Sequence, residues 1–279
     1  MDDRTDGTRF VYVQYANDLE YLCNAAINFA RLDRFGAHFD RVLIHPEEWN
    51  EAVPILSTAS EDATWRNSLT KFYAFDLTEY TRVLAFDSDA LILNAMDHYF
   101  LAPNTPVAVP RAYWLEPSEE NGSMGRQILA SHVMLIKLNE RIFSRIMDEA
   151  RASGDFDMEV LNHLFSETVM ILPHRRIALL TGEFQKSDHS LYLSDDPDGV
   201  QKWNVMAEVS RAYLFHFSDW PLPKPWRSRS KEQWEEALPG CDEEDVVLSD
   251  RPRCADRVMW MGFYEDYEID GEGVCRGII

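Results

Sequence analysis

An apolar stretch that runs straight into two carboxylates limits what this chain can become more than any other feature. Arg82-Val83-Leu84-Ala85-Phe86 leads into Asp87-Ser88-Asp89, and Ala90-Leu91-Ile92-Leu93 follows directly. A short, continuous apolar run reads as a strand buried on both faces, so the two carboxylates sit where that strand emerges. Upstream, Phe10 to Tyr15 is β-rich and Ala16-Asn17-Asp18 offers turn and N-cap chemistry. Leu22, Ala25, Ala26, Phe29 and Leu32 then recur at helical spacing, and Arg41-Val42-Leu43-Ile44-His45 is a second short strand ended by Pro46. A β-α-β opening of this kind predicts an α/β protein with a mostly parallel central sheet flanked by helices. Such sheets bind ligands at the carboxyl ends of their strands.

The same reading continues along the chain. It predicts a helix from about Ala63 to Phe75, strands at Val107 to Val109 and Val133 to Leu138, and helices over Glu140 to Ala150 and Met158 to Phe165. Further strands are expected at Val169 to Leu172, Ile177 to Leu180 and Arg211 to His216, after which Pro221, Pro223 and Pro225 forbid regular structure. The segment from 227 to 279 is rich in acidic residues and reads as a polar extension over a catalytic domain of residues 1–226, with Trp234, Val258, Trp260 and Tyr264 as apolar anchors.

Charge excludes one class of partner. Lys and Arg number 27 against 48 Asp and Glu, a formal charge of −21, which repels a nucleic-acid backbone. Hydrophobic residues at 46% are enough for a packed core. No apolar run approaches the roughly 20 residues that cross a bilayer, and MDDRTDGTRF lacks the blocks of a signal peptide. Of four cysteines, Cys23 lies in the helical pattern while Cys241, Cys254 and Cys275 share the tail. Three late cysteines leave one over, so the expectation is a bridge within the tail with one thiol free, or reduced thiols throughout.

Asp87 and Asp89 repel unless a cation joins them, and a divalent hard cation can hold carboxylate oxygens and a diphosphate together. A second stretch, Tyr213-Leu214-Phe215-His216-Phe217, followed by Lys224-Pro225-Trp226, offers an imidazole at a strand end and a lysine to balance phosphate charge. Taken singly, Asp-x-Asp also reads as a solvated acidic turn, His216 as a packed core histidine and Lys224 as a surface lysine. Their conjunction is what points to a nucleotide-binding metal site.

Ser68-Leu69-Thr70-Lys71-Phe72, Tyr80-Thr81-Arg82-Val83-Leu84 before Asp87-Ser88-Asp89, then His216-Phe217 with Lys224-Pro225-Trp226 stand in an order that resembles glycosyltransferase family 8 over residues 10 to 226. That family includes glycogenin and fungal N-acetylglucosaminyltransferase-like proteins, and Pro239-Gly240-Cys241 and Val274-Cys275 are closer to the fungal branch. The resemblance implies a GT-A-type nucleotide-diphospho-sugar transferase fold. It implies that Asp87, Asp89 and His216 hold Mn2+, or Mg2+ in its place, bridging the diphosphate of a UDP-sugar. Ser88 lies between the two ligands, and Lys71 and Lys224 would contact the sugar-phosphate region. Ala16 and Asn17 match positions that hold the nucleoside, and Tyr21 resembles the aromatic that stacks on uracil, one residue later than in glycogenin. Asp157-Met158-Glu159-Val160-Leu161-Asn162 resembles an Asp-Gln pair followed by Leu-Asn beside the sugar, with Met158 in place of the glutamine. Ser131 and His132 fall where relatives have Asn-Ser-Gly, so His132 adds a ring near the sugar site.

The implied activity is retaining, Mn2+-dependent transfer of a sugar, leaning to N-acetylglucosamine, from a UDP-sugar to a hydroxyl acceptor, with Asp157 as the carboxylate nearest the anomeric carbon. Two alternatives stay open: a non-catalytic nucleotide-sugar-binding module, and a haloacid-dehalogenase-type phosphatase in which Asp87 would be phosphorylated. A Golgi-lumenal enzyme would need an anchor beyond this sequence, and a cytosolic one would keep its thiols reduced.

Overall fold

A computed structural model describes residues 9–46, 67–115, 127–194, 200–241 and 254–278. In chain order the strands are β1 (Phe10–Tyr15), β2 (Asp40–Ile44), β3 (Arg82–Phe86), β4 (Ala90–Ile92), β5 (Val107–Pro110), β6 (Val133–Lys137), β7 (Met170–Leu172), β8 (Leu179–Leu180) and β9 (Leu214–His216). The α-helices are α1 (Leu19–Arg34), α2 (Glu140–Ser153), α3 (Asp157–Phe165), α4 (His174–Ile177), α5 (Val205–Arg211), α6 (Lys231–Ala237) and α7 (Ala255–Val274).

Six strands form the main sheet in the order β2-β1-β3-β6-β5-β7. Its pairs are parallel except where β6 runs against β3 and β5. The sheet is mixed α/β and mostly parallel, as the β-α-β pattern predicts. Both faces of β3 are covered: Val83 and Ala85 join one core cluster with Phe72, Ile146 and Leu161, while Leu84 and Phe86 join another with Leu32 and Phe100. That two-sided burial is why the run carries no polar alternation. A second sheet, β4-β9-β8, hangs from the end of β3 through the Asp87-Ser88-Asp89 turn.

Local chemistry explains the element ends. Asp18 accepts from the Tyr21 amide at 2.9 Å and caps α1. Gly154 closes α2 at φ +72°, a conformation that only glycine adopts at little cost. The structure differs from the sequence reading in several places. The predicted helix at 63–75 is a 3-10 helix over Ser68–Phe75, and residues 63–66 lie outside the described residues. The predicted strand Ile177 to Leu180 is the end of α4 followed by two residues of β8, and residue 211 closes α5, so the strand that bears His216 begins only at Leu214.

The C-terminal segment is far more than a polar wrap. α7 buries Trp260, Phe263, Tyr264 and Tyr267 against Ile27, Phe215 and Phe217, although Val258, expected as an anchor, is exposed. The expected bridge within the tail is present, Cys241 with Cys254, but the cysteine expected to be left free is not: Cys275 pairs with Cys23, 252 residues away. Because α1 packs along α7, the odd tail cysteine finds its partner there, and none is left free. Among the described residues no helix is long and apolar enough to cross a membrane.

Candidate functional site

Three strand ends converge on one point. β1 ends beside β3 in parallel register, the Ser88 hydroxyl donates to the carbonyl of its last residue, Tyr15, and the Asp87 amide donates to the His132 carbonyl just before β6 begins, at 2.9 Å. The Ala90 amide then closes the turn on the Asp87 carbonyl at 3.2 Å, and β4 pairs antiparallel with β9 so that Ala90 lies opposite His216. This register carries the imidazole to the carboxylates. His216 Nε2 lies 2.8 Å from Asp89 Oδ1 and 3.7 Å from Asp87 Oδ2. One ligand atom each from Asp87, Asp89 and His216 falls within a 4.8 Å span.

Two lysines balance the charge. Lys224 Nζ is 2.8 Å from Asp89 Oδ2 and also donates to the Phe217 carbonyl, which ties the proline-rich segment back to β9. Lys71, buried on the 3-10 helix, pairs with Asp87 and lies 2.7 Å from Asp157 Oδ2. Asp157 opens α3, where the helix dipole favours a carboxylate, and the Ser131 hydroxyl donates to the same Oδ2 at 2.5 Å. Burial alone would push Asp157 up, but the Lys71 charge and the bonds from Lys71 and Ser131 hold it below the ordinary 3.8. Asp89 behaves alike: burial opposes ionisation, and the charges of His216 and Lys224 outweigh it, holding the group well below its usual range. For His216 burial works against the proton and Asp89 wins, so its pKa rises above 6.5. His132 has no such partner; burial, helped by the charge on His216, pushes it down to about 4 while Nε2 meets the Ile177 carbonyl at 3.0 Å.

Of the remaining sequence candidates, Ala16 is fully buried and its amide donates to the Ile44 carbonyl at 2.8 Å. Asn17 keeps a buried Oδ1 with no hydrogen-bond partner among the described residues. Tyr21 stacks edge-on against Trp226 at 5.2 Å, beside the carboxylates. Ser88 is buried, and its hydroxyl donates to the Tyr15 carbonyl, so its role in the turn is to fix the backbone between the two aspartates. Asn162 bonds both the amide and the carbonyl of Leu129, at 2.8 and 2.9 Å, and so holds the approach to Ser131.

Sequence reasoning missed two supports. Thr181 Oγ1 donates to the His216 carbonyl at 3.3 Å and accepts from the Ser218 amide at 2.8 Å. Asp219 accepts from Trp260 Nε1 at 3.0 Å, Tyr264 Oη at 2.7 Å and Gln185 at 2.9 Å, which pins the segment between His216 and Lys224 onto α7. Burial raises its pKa despite those bonds. Nothing in a proline-flanked Ser-Asp-Trp announces a buried acid.

Two carboxylates and an imidazole, backed by lysines, are a donor set that suits a divalent cation of intermediate hardness. His216 Nε2 and Lys224 Nζ each lie 2.8 Å from an oxygen of Asp89.

Comparison with known proteins gives a consistent picture. No family model matches the chain. The protein named glucose N-acetyltransferase 1 of Gibberella zeae is 36% identical over 98% of this chain, which spans 64% of that relative's length. The protein of the same name from Aspergillus fumigatus is 33% identical over 95% of this chain and 77% of its own length. Among solved structures, the galactosyltransferase LgtC, in complex with donor and acceptor sugar analogues, superposes with a TM-score of 0.56 at 18% identity, covering 96% of this chain and all of LgtC. The bifunctional glycosyltransferase WbbM gives 0.57 at 13% identity over 82% of this chain and 48% of its own. At such identities the likeness speaks for the fold, the α/β architecture of GT-A glycosyltransferases.

Proposed function

The chain belongs to the glucose N-acetyltransferase 1 family, and from that premise we propose a metal-dependent, retaining glycosyltransferase of the family 8 type that moves N-acetylglucosamine from a UDP-sugar to a hydroxyl acceptor. The observation that carries the reading is the meeting of Asp87, Asp89 and His216, drawn from two distant stretches, within ligating reach of one ion. A divalent cation bound there, Mn2+ before Mg2+, supplies Lewis-acid stabilisation of the departing diphosphate.

Every other part is played by the chain. Lys224, at the partly exposed end, balances phosphate charge as UDP leaves, and Lys71 holds Asp87 and Asp157 at fixed spacing. Asn17 and Ala16 receive the nucleoside, with Tyr21 beside the base. Asp157, Ser131 and His132 line the sugar end. Lys71 and Ser131 both bond Asp157 Oδ2 and keep it ionised, which suits a carboxylate that orients the sugar and faces the positive charge that develops at the anomeric carbon. The catalytic unit in this reading is residues 1–226, and 227–279 is an extension joined to it by the Cys23–Cys275 bridge.

The relatives' name couples glucose with an N-acetyl group. A metal-and-lysine site is suited to a diphosphate leaving group, which favours moving the acetylated sugar as a unit over acetylating glucosamine. A panel of UDP-sugars assayed for Mn2+-stimulated UDP release separates the readings. We expect release with UDP-N-acetylglucosamine, lowered at least about 10²-fold in Asp89→Asn. No UDP release with any donor, or full activity in Asp89→Asn, would overturn the proposal.

A further inference from the structure

The metal-ligating turn does not hold itself in place. We infer that Gln14, Asn24, Asn28 and Arg31 are positioning residues that set the spacing of Asp87 and Asp89, acting through the backbone of residues 87–92.

The four side chains are buried: Gln14, Asn24 and Asn28 have no exposed surface and Arg31 has 5%. Gln14 Nε2 donates to the Asp87 carbonyl at 3.0 Å, and Asn24 Nδ2 donates to the Ser88 carbonyl. Asn28 Nδ2 donates to the Ala90 carbonyl at 2.9 Å while its Oδ1 accepts from the Ile92 amide at 2.9 Å. Arg31 Nη1 donates to the Ile92 carbonyl at 3.0 Å. Positions 24, 28 and 31 share one face of α1, and the bonded carbonyls lie at 88, 90 and 92.

The spacings fit where strand and helix run side by side. From Asn28 to Arg31 the helix advances ~4.5 Å and from Ala90 to Ile92 the strand advances ~6.6 Å, and the longer arginine side chain makes up the ~2 Å between them. Among the described residues β4 is an edge strand whose one strand partner is β9. Asn28 bonds the Ala90 carbonyl and the Ile92 amide, the two groups flanking Leu91, as one residue of a parallel neighbouring strand would. The helix therefore completes the edge of a sheet with side-chain amides. α1 is itself fixed from behind, by Arg31 to Asp270 at 2.5 Å, Arg34 to Asp270 at 2.8 Å and the Cys23–Cys275 bridge.

This assignment rests on the metal reading above, and its test separates the two. Free Mn2+ is followed by electron paramagnetic resonance as protein is titrated in the presence of UDP, with thermal unfolding measured on the same samples. Groups that orient metal ligands change affinity about 10- to 100-fold when removed. Asn24→Ala is expected to weaken Mn2+ binding about tenfold or more, and Gln14→Met, which keeps the shape and removes the donor to Asp87, in the same direction. Arg82→Met is the control: Arg82 is also buried, at 9% exposure, and bonds Phe100, Ala102 and Pro103 carbonyls at the opposite end of β3. It should lower thermal stability and leave Mn2+ affinity within about twofold, since it touches nothing of the turn. If Asn24→Ala does not fold, Gln14→Met decides. Wild-type affinity in the folded variants, or an equal loss in Arg82→Met, overturns the inference alone. A wild-type protein that takes up no Mn2+ overturns the functional reading and this inference with it.

Discussion

Two lysine-carboxylate pairs flank the same turn and are built differently. In the inner pair the side chains of Lys71 and Asp157 are 4% and 9% exposed, and Ser131 adds a further bond. In the outer pair Lys224 and Asp89 are 27% and 18% exposed, and the lysine sits on a proline-rich segment. A dry, fully bonded pair fixes geometry; a wetter one can exchange its partner for a ligand. The site is thus rigid where a sugar would be oriented and yielding where a metal and a diphosphate would enter and leave.

The hardest blow to this contrast is Lys71→Met. It leaves Asp87 and Asp157 facing each other across a buried gap with no cation between them. Removing one partner of a buried pair costs about 3–5 kcal/mol, so denaturant unfolding should register a loss of that size. A loss under about 1 kcal/mol would show that the inner pair is screened like a surface one.

Acid probes the same interior from another side. Unfolded, His132 takes its proton near 6.5; folded, only near 4. A group whose folded pKa is depressed in this way favours the unfolded chain once pH drops below 6.5, and stability falls by about 1.4 kcal/mol per pH unit until about 4. His216 lies outside this window, because its raised pKa supplies stability that is complete below 6.5 and is lost only at higher pH. Asp157 and Asp89, held below 3.8, lose their contribution only in stronger acid. The difference in unfolding free energy between wild type and His132→Gln, followed from pH 7 to 4, should carry that slope. A flat difference would mean that His132 is solvated.

The contrast also divides what the sequence makes legible. Asp87, Asp89 and His216 stand out because ionisable groups end apolar strands, and a buried strand cannot carry them without a reason; Lys224 stands out only in conjunction with them. The orienting residues do not stand out. Asn24 and Asn28 read as chance breaks in an amphipathic helix, since their partners are backbone carbonyls of another strand and leave no side-chain pattern. β4 is hidden for a related reason: Ala90 to Ile92 is too short to declare a strand by itself, and its pairing with β9 is what defines it. α7 hides behind its glycines and acidic residues, and its helix is held by packing against α1 and the second sheet more than by propensity. The Cys23–Cys275 pairing depends on that same packing, so spacing within the tail could not supply it.

The mildest substitution tests the outer pair. Lys224→Met removes an ion pair that is partly exposed, and Asp89 keeps His216 at 2.8 Å, so unfolding stability should change by less than about 1 kcal/mol. The informative part is the opposite sign of two binding measurements. Without nucleotide, Mn2+ no longer competes with an ammonium for Asp89 Oδ2, so its affinity should rise a few-fold, about twofold to fivefold. With UDP present the lysine's charge is missing from the phosphates, and nucleotide affinity should fall by about tenfold, the scale of a lost charge-assisted bond. A single loss in both titrations, or a large fall in stability, would make Lys224 a second structural lysine and erase the difference between the two ends of the site.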